Sequence, residues 1–502
     1  MKRRAGAVVG TTAAIGSATL LVVRRWKRRR GIRANPSGPI VAGGAAGRPG
    51  QMARSAGRIG VSYGIHQAQR TFASAARRER LDEAFLLHSA EEVTETLGNL
   101  KGVMMKLGQM ASYLDLGLPE EMRAVLATLQ AAAPPMAPEL ATETLEKALG
   151  TSVSDSFSEW DPEAIAAASI GQVHRAITLD GRAVAVKVQY PGIAEAMAED
   201  LEHTDVIFTA LRMLFPALEV APLVDELRTR LAEELDYVNE ATNQQRFADA
   251  YRDHPFIVVP DVVEELSNER VLTSDLLAGR SFADMAAATQ PERDVVAEAI
   301  FRYVMRSLYC MGSFNGDPHP GNYLVLDDGR VAFLDYGLVK HFTSDEIELF
   351  AAMHTTMVDD GDVAGFKVLL VDAGIVGAET SLGDERLYEY FSGFYEHLLR
   401  DEPTTITREF AAGLVSRMFD TDGPFADVQR QINVPPSFLL IQRINLGLYA
   451  LFADLDASAN WHAILADIVP WAGGSGTGGA TDMGRAEADW LDQRAGDATP
   501  RM

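Results

Sequence analysis

The hydrophobic period of the chain changes several times along its length, and each change marks an element. Residues 66–150 carry apolar positions at helical spacing, interrupted at "LGLPEE" (116–121) and "APPMAP" (133–138). Residues 163–190 alternate instead. They read as a strand, a small-residue turn, a second strand, a hairpin turn at Asp180–Gly181, and a third strand ending at Lys187. Helical spacing returns over 193–252. "FIVVPDVVEELSNERVLTSDLL" (256–277) predicts two short strands around a polar turn. Beyond 290 the pattern is helical except for the hairpin "YLVLDDGRVAFLDYG" (323–337). From 472, "AGGSGTGGATDMG" and the polar residues after it predict a disordered tail.

These elements predict an α+β chain in five parts: a basic leader and linker (1–50), a helical extension (51–150), a small β-rich lobe (151–277), a larger helical lobe (278–471) and the tail (472–502). Two lobes joined near 275–280 make a cleft, and ligand sites favour clefts. The length of 502 residues has room for about two to four domains of roughly 100–200 residues each.

Charge changes the picture at the N-terminus. Residues 1–80 hold 17 Lys and Arg and a single acid, Glu79. That arm is near +16 within a chain of net charge −24, which leaves the remainder near −40. An acidic body repels phosphate backbones, so nucleic acid is not an expected partner of it. Within the arm, the uncharged segment 5–23 is followed at once by "RRWKRRR". As a helix, its 19 residues would span about 28 Å, close to the hydrocarbon thickness of a bilayer. Only seven of them are Val, Ile or Leu. Membrane association through residues 5–30 is one reading, with the basic cluster and the body on the cytoplasmic side. A disordered basic leader and a mis-assigned start are the others. The single cysteine, Cys310, excludes an intramolecular disulfide framework.

The candidate chemistry lies in "FNGDPHPGNYLVLDDGRVAFLDYG" (314–337). Asp317 and Asn322 stand five residues apart, and Asp335 follows thirteen residues later. Phosphoryl transfer needs hard oxygen ligands to hold cations against phosphate oxygens, and these three side chains supply them. "GDPHPGN" has the D-x-x-x-x-N spacing of a kinase catalytic loop, and "DYG" stands where kinases carry D-F-G. Gly337 is expected to permit a sharp backbone turn. Asp, Asn and Gly are also the ordinary residues of turns, which explains either motif alone but not their paired spacing.

Lys187, at the end of "VAVK", would reach the α- and β-phosphates of a nucleotide if an acid held it in place. The helical, acidic stretch "RLAEELDYVNEATNQQRF" (230–247) offers such acids: Glu233, Asp236 and Glu240 on one face and Glu234 round the side. The loop before Lys187 reads Ala166, Ala167, Ala168, Ser169, Ile170, Gly171, Gln172, Val173 where kinases have G-x-G-x-x-G. Alanine allows close approach but not the φ > 0 freedom of glycine. "LKGVMMKLGQMAS" (100–112) places Lys106 and Gln109 on one helical face.

"KLGQ" (106–109), "AAASIGQVHRA" (166–176), "VAVKVQYPG" (184–192), "EELDYVNEA" (233–241), "NGDPHPGN" (315–322) and "DYG" (335–337) occur in that order. Together they resemble the UbiB-type atypical kinases, also called the AarF group, over roughly residues 80–470. The resemblance implies a bilobal protein-kinase-like fold whose N-terminal helical extension packs over the cleft. It implies that Lys106 and Gln109 approach the nucleotide side opposite Glu234 and Asp236, and that Lys187 pairs with Glu240. Asp317 would be the catalytic aspartate, Asn322 and Asp335 the metal ligands, ATP or ADP and Mg²⁺ the cofactors. The alanine-rich loop is the family's own feature and implies an altered nucleotide preference. The family is linked to isoprenoid quinone biosynthesis and lipid homeostasis, so lipid or quinone-pathway partners are expected, and turnover resembling an ATPase more than a protein kinase.

Two other functions fit parts of the pattern. A small-molecule phosphotransferase of the aminoglycoside or choline kinase type shares the "NGDPHPGN" loop but commonly has an acid after the aromatic residue, where this chain has Gly337. A nucleotide-sensing scaffold would bind without turnover. Conventional protein kinase activity is least favoured, because "LVKHFTSDEIELF" (338–350) enters helical sequence soon after "DYG" and leaves little room for an activation segment. C-terminal transmembrane helices are not expected: Arg443, Asp454, Asp456 and Asp467 interrupt residues 436–470.

Overall fold

The computed structural model describes residues 136–168, 170–195, 232–419, 423–433, 435–469, 479 and 481–497. The basic leader, the linker and the helical extension up to 135 lie outside the described residues.

Helix α1 (Pro138–Leu149) starts on a proline, whose missing N–H costs nothing in a first turn, and stops at Gly150 in the left-handed conformation (φ 72°). Three antiparallel strands follow: β1 (Phe157–Ala167), β2 (Gly171–Thr178) and β3 (Ala183–Gln189). The Asp180–Gly181 turn joins β2 to β3 as the sequence predicts, with Gly181 at φ 90°. The chain leaves through α2 (Tyr237–Ala250) and β4 (Ile257–Val258) and returns as β5 (Val271–Asp275), which pairs with the free edge of β3. The four strands run in the order β1-β2-β3-β5. Strand alternation turns Val184, Val186 and Val188 to one face, where they are buried with Leu145 of α1, Phe157, Ala176 and Val271. Burial of each such side chain contributes about 1.5–3 kcal/mol. The same alternation sends Lys187 to the opposite face.

The larger lobe begins with β6 (Gly279–Ser281) and α3 (Gln290–Met311). A capping box of Thr289 and Glu292 starts α3, and Gly312 in the left-handed region ends it. Every residue of α3 from Val296 to Leu308 is buried, so this helix is the axis of the lobe. After it come β7 (Ser313–Asn315), β8 (Tyr323–Leu326), β9 (Val331–Phe333) and β10 (Val339–His341). The second sheet has the order β4-β9-β8-β6, and β7 pairs separately with β10. Helix α4 (Ser344–His354) starts three residues after β10, in line with the short post-"DYG" segment expected from sequence. Further helices complete the lobe, among them α5 (Pro436–Asp454), α6 (Trp461–Ile468) and α7 (Asp482–Asp497). Among the described residues no helix is long and apolar enough to cross a membrane.

Two expectations need correction. Strand β4 was expected in the small lobe, but it pairs in parallel with β9 of the second sheet. Phe256 and Ile257 beside it belong to the large core with Phe301 and Phe333. The tail expected to be disordered contains α7. Its buried positions are Gly484, Glu487, Ala488 and Trp490, a pattern that sequence reading missed because an acid stands in it.

That acid is neutralised in place. Glu487, 2% exposed, accepts from Arg302 Nη1 at 3.0 Å and Arg306 Nε at 2.7 Å. Arg302, fully buried, also donates to Glu298 at 2.8 Å and to Asp467 at 2.9 Å. His254 Nδ1 accepts from the Ile257 amide at 3.2 Å, so its Nε2–H is the group that faces Glu487 at 3.3 Å. Burial lowers the His254 pKa and keeps the ring neutral. Burial alone would raise the Glu487 carboxyl, but His254, Arg306 and Arg302 outweigh it and hold it at about 2.

Removing one partner of a buried ion group costs about 3–5 kcal/mol because the others stay buried and uncompensated. Chemical denaturation of Glu487→Ala is expected to show a loss of that size. The Glu487 contribution is complete above its unfolded pKa, about 4.5, and is lost as pH falls from there towards 2. Trp490 fluorescence, reporting a ring packed 4.5 Å from His254, is expected to change over that window in the wild type.

Candidate functional site

Lys187 stands on the face of β3 that looks towards α2. Its Nζ donates to Glu240 Oε1 at 2.7 Å and Oε2 at 2.9 Å, and lies 4.0 Å from Asp335 Oδ2. Thus the ammonium from the small lobe meets one carboxylate from α2 and one from the end of the β8–β9 hairpin. Their exposures separate their roles: the Glu240 side chain is 3% exposed, that of Asp335 34%. Glu240 is fenced in as a partner of Lys187. Asp335 stays reachable.

The charges are mutually dependent. Burial opposes the Lys187 charge, but Glu240 and then Asp335 overcome it and hold its pKa well above the ordinary value. Burial pushes Glu240 up to about 7 against the pull of Lys187, with Asp335 adding to the rise.

The acidic stretch 230–247 is not one continuous helix. It breaks at Asp236, whose carboxylate accepts from the Asn239 amide at 2.9 Å and caps α2. Asp236 therefore does not share a helical face with Glu240, contrary to expectation, because a capping residue has non-helical φ/ψ. Glu234, just before the break, is half-buried and adds to the field on Lys187.

The small-residue loop is tighter than its sequence states. Ala166 and Ala167 complete β1, and the Ala168 amide donates to the Gly171 carbonyl at 3.0 Å. Ile170 is buried and its carbonyl accepts from Tyr190. Gly171 is required by close approach: a Cβ there would collide with the Val188 carbonyl. Val173 sits opposite Lys187 in the ladder and shares its face. Gln172 does not line that face. It is fully buried, with its amide accepting from Met136 N at 2.8 Å and contacting His174 at 2.8 Å. Its expected place among nucleotide contacts is thereby corrected: strand alternation turns it to the α1 side. Ser169, Lys106 and Gln109 lie outside the described residues.

Asp317 and Asn322 meet as predicted from their spacing. Asn322 Nδ2 donates to the Asp317 backbone oxygen and to its Oδ2, both at 3.1 Å. Asn315, which sequence reading passed over, ties this loop to Asp335: its Nδ2 donates to the Asp335 carbonyl at 2.6 Å. The β7–β10 ladder and the bond from Gly316 N to Leu338 O (2.7 Å) hold the two segments side by side. Gly337 is not in the left-handed region, so the sharp turn expected of it is not its role. A Cβ there would stand 3.3 Å from Asp335 Oδ1 and 3.6 Å from Glu240 Oε2, so the glycine keeps space between two carboxylates. Its amide donates to Asp335 Oδ1 at 2.9 Å.

Tyr336 packs as an aromatic body, as expected, and its hydroxyl also has a job. It accepts from the buried Tyr303 hydroxyl at 3.0 Å, while its ring lies 5.0 Å from Phe247 of α2. The site thus has an aromatic floor shared by α2 and α3. No sequence signal distinguishes Tyr303 from other apolar positions of α3.

Comparison with known proteins agrees with this geometry. Residues 128–367 match the family described as the ABC1 atypical kinase-like domain. The AarF domain-containing protein kinase 1 of Mus musculus is 34% identical over 266 residues, which cover 52% of this chain and 51% of that protein. The mitochondrial atypical kinase COQ8 of Saccharomyces cerevisiae is 29% identical over 298 residues, 58% of this chain and 59% of that protein. The chain thus spans about half the length of the curated relatives it matches. Among solved structures, the complex of Rv3197 with erythromycin from Mycobacterium tuberculosis aligns with a TM-score of 0.56 at 29% identity, covering 79% of this chain and 99% of that one. The two-lobed α+β fold is kinase-like, and residues 128–367 match an ABC1/AarF atypical kinase-like domain of the UbiB type.

Proposed function

We propose that this chain binds a magnesium–nucleotide complex, ATP or ADP, between its lobes and turns ATP over as an atypical kinase or ATPase. The observation that carries the reading is the meeting of Lys187, Glu240 and Asp335 within 4.0 Å, from three separate parts of the sequence. Lys187, fixed by Glu240, orients the α- and β-phosphates. Asp317 positions a hydroxyl or a water and accepts its proton.

The donors fit magnesium. Among the described residues no cluster of three or more His, Cys, Asp or Glu could enclose a metal ion. Magnesium does not need one, since it takes one or two carboxylates and completes its shell with phosphates and water. Asp335 is exposed enough to serve. Asn322 gives its amide N–H groups to Asp317, which leaves its Oδ1 as the ligand atom. Bound there, the ion would neutralise charge on the phosphate oxygens.

The substrate reading follows from the family resemblance: a lipid-linked step, in isoprenoid quinone biosynthesis or lipid homeostasis, at the cytoplasmic face of a membrane. Residues 5–30 are the proposed contact, because they combine an uncharged run with a basic cluster.

Lys187→Ala and Asp335→Asn are each expected to abolish the thermal shift produced by Mg·ATP. Asp317→Asn is expected to retain that shift while losing about a hundredfold or more in turnover. Unchanged ATP affinity in the first two would overturn the assignment. Retained turnover in the third would favour a scaffold.

A pH dependence follows from Glu240. Below about 7 it takes up a proton and releases its hold on Lys187, so ATP affinity is expected to fall as pH drops from 8 to 6. The stability effect has the opposite sign. A carboxyl that titrates above its unfolded value of about 4.5 costs folding stability as pH rises from 4.5 to 7. Calorimetric titration and urea melts across that range check both.

For the membrane contact, co-sedimentation with anionic liposomes is expected to be lost on deletion of residues 1–30. Equal pelleting of the full and shortened chains would count against it.

A further inference from the structure

Tyr237 is the first residue of α2, directly after the Asp236 cap. It is 1% exposed. The face of its ring lies 4.9 Å from Lys187 Nζ, a cation–π contact that helps hold the ammonium where Glu240 places it. Its hydroxyl is a different matter. Among the described residues the oxygen meets no hydrogen-bond partner. A Cβ added to Gly171 would stand 3.0 Å from it, so the hydroxyl sits against the glycine that closes the small-residue loop. Gly171 and Lys187 point to one face of the β2–β3 ladder, and the hydroxyl lies on that face.

A buried hydroxyl without a partner is costly, and phenylalanine would keep the ring contact without that cost. Burial pushes the ionisation of Tyr237 far above its ordinary range despite the pull of Lys187, so the group is a neutral O–H and can donate. Three carboxylates act on this point: Glu240, Glu234 and Asp335. A phosphate approaching them gains from a donor that does not depend on charge.

We propose that the Tyr237 hydroxyl is a nucleotide ligand, donating a hydrogen bond to a phosphate oxygen that Lys187 also contacts. The pair would present one charged and one neutral donor from the same face of the β2–β3 ladder. Gly171, having no side chain, lets the hydroxyl lie directly against the loop. This assignment rests on the nucleotide reading of the site.

The test is Tyr237→Phe, which removes one oxygen and keeps the ring over Lys187. Mg·ATP affinity is measured by calorimetry for the wild type, Tyr237→Phe and Lys187→Ala, and the ligand-free melting temperature is recorded for each. Tyr237→Phe is expected to bind Mg·ATP about ten- to a hundredfold more weakly, as for a lost hydrogen bond to a charged group. Its ligand-free melting temperature is expected to equal or exceed that of the wild type. Wild-type affinity in Tyr237→Phe, with Lys187→Ala still defective, overturns this assignment and leaves the nucleotide site intact. A weaker affinity accompanied by a lowered melting temperature overturns it in favour of a packing role. A wild-type chain that binds no nucleotide removes both this assignment and the site reading beneath it.

Discussion

The ion pair between Lys187 and Glu240 is the contact on which the arrangement of the site depends. It joins a strand of the small lobe to a helix anchored in the large one. The N-terminal turn of α2 carries Glu240 and Tyr237 towards β3, while its C-terminal half belongs to the large core through Phe247 and Tyr251. Tyr251 donates to the Tyr303 carbonyl at 3.0 Å, and Asn243 meets His341 of β10 at 3.2 Å. A shift of α2 would therefore disturb Lys187 at one end and the strand after Asp335 at the other. One helix sets the distance between ammonium and carboxylate.

The two buried charge groups follow different rules. Around Arg302 three acids share two guanidiniums, and Glu487, bonded by both, is ionised far below its ordinary range. Around Lys187 the acids are in excess, and Glu240 is pushed up instead. A carboxylate held by two buried guanidiniums is a structural fastening. A site with surplus negative charge and a single ammonium is set up to exchange one cation partner for another. That contrast separates the two clusters although both are buried and both contain carboxylates within 3 Å of a cation.

The strands and turns around the site were legible because they use local chemistry. Alternation over β2 and β3, the Asp180–Gly181 turn and the contact between Asp317 and Asn322 are all present in the fold. What sequence could not supply was long-range pairing. Nothing in the acids of 233–240 states that Asp236 caps a helix while Glu240 turns inward; periodicity treats both as one face. Gln172 stands within the motif, yet strand alternation sends it to the other side of the sheet. Tyr303 carries no local signal, and the motif that contains Asn315 does not state its role, since their partners, the Tyr336 hydroxyl and the Asp335 carbonyl, are distant in the chain. The α7 helix was missed because Glu487 looks solvated until its two arginines, more than 180 residues away, are known.

That last feature bears on where this protein can be divided. The stretch matching the family ends at residue 367, but the charges of Arg302 and Arg306 inside it are balanced by Asp467 and Glu487 outside it. A segment cut at the family boundary would keep two guanidiniums in its interior with Glu298 and discard Asp467 and Glu487. The buried ion group thus crosses the end of the matched stretch: α3 supplies both guanidiniums and Glu298, and the chain beyond residue 367 supplies Asp467 and Glu487.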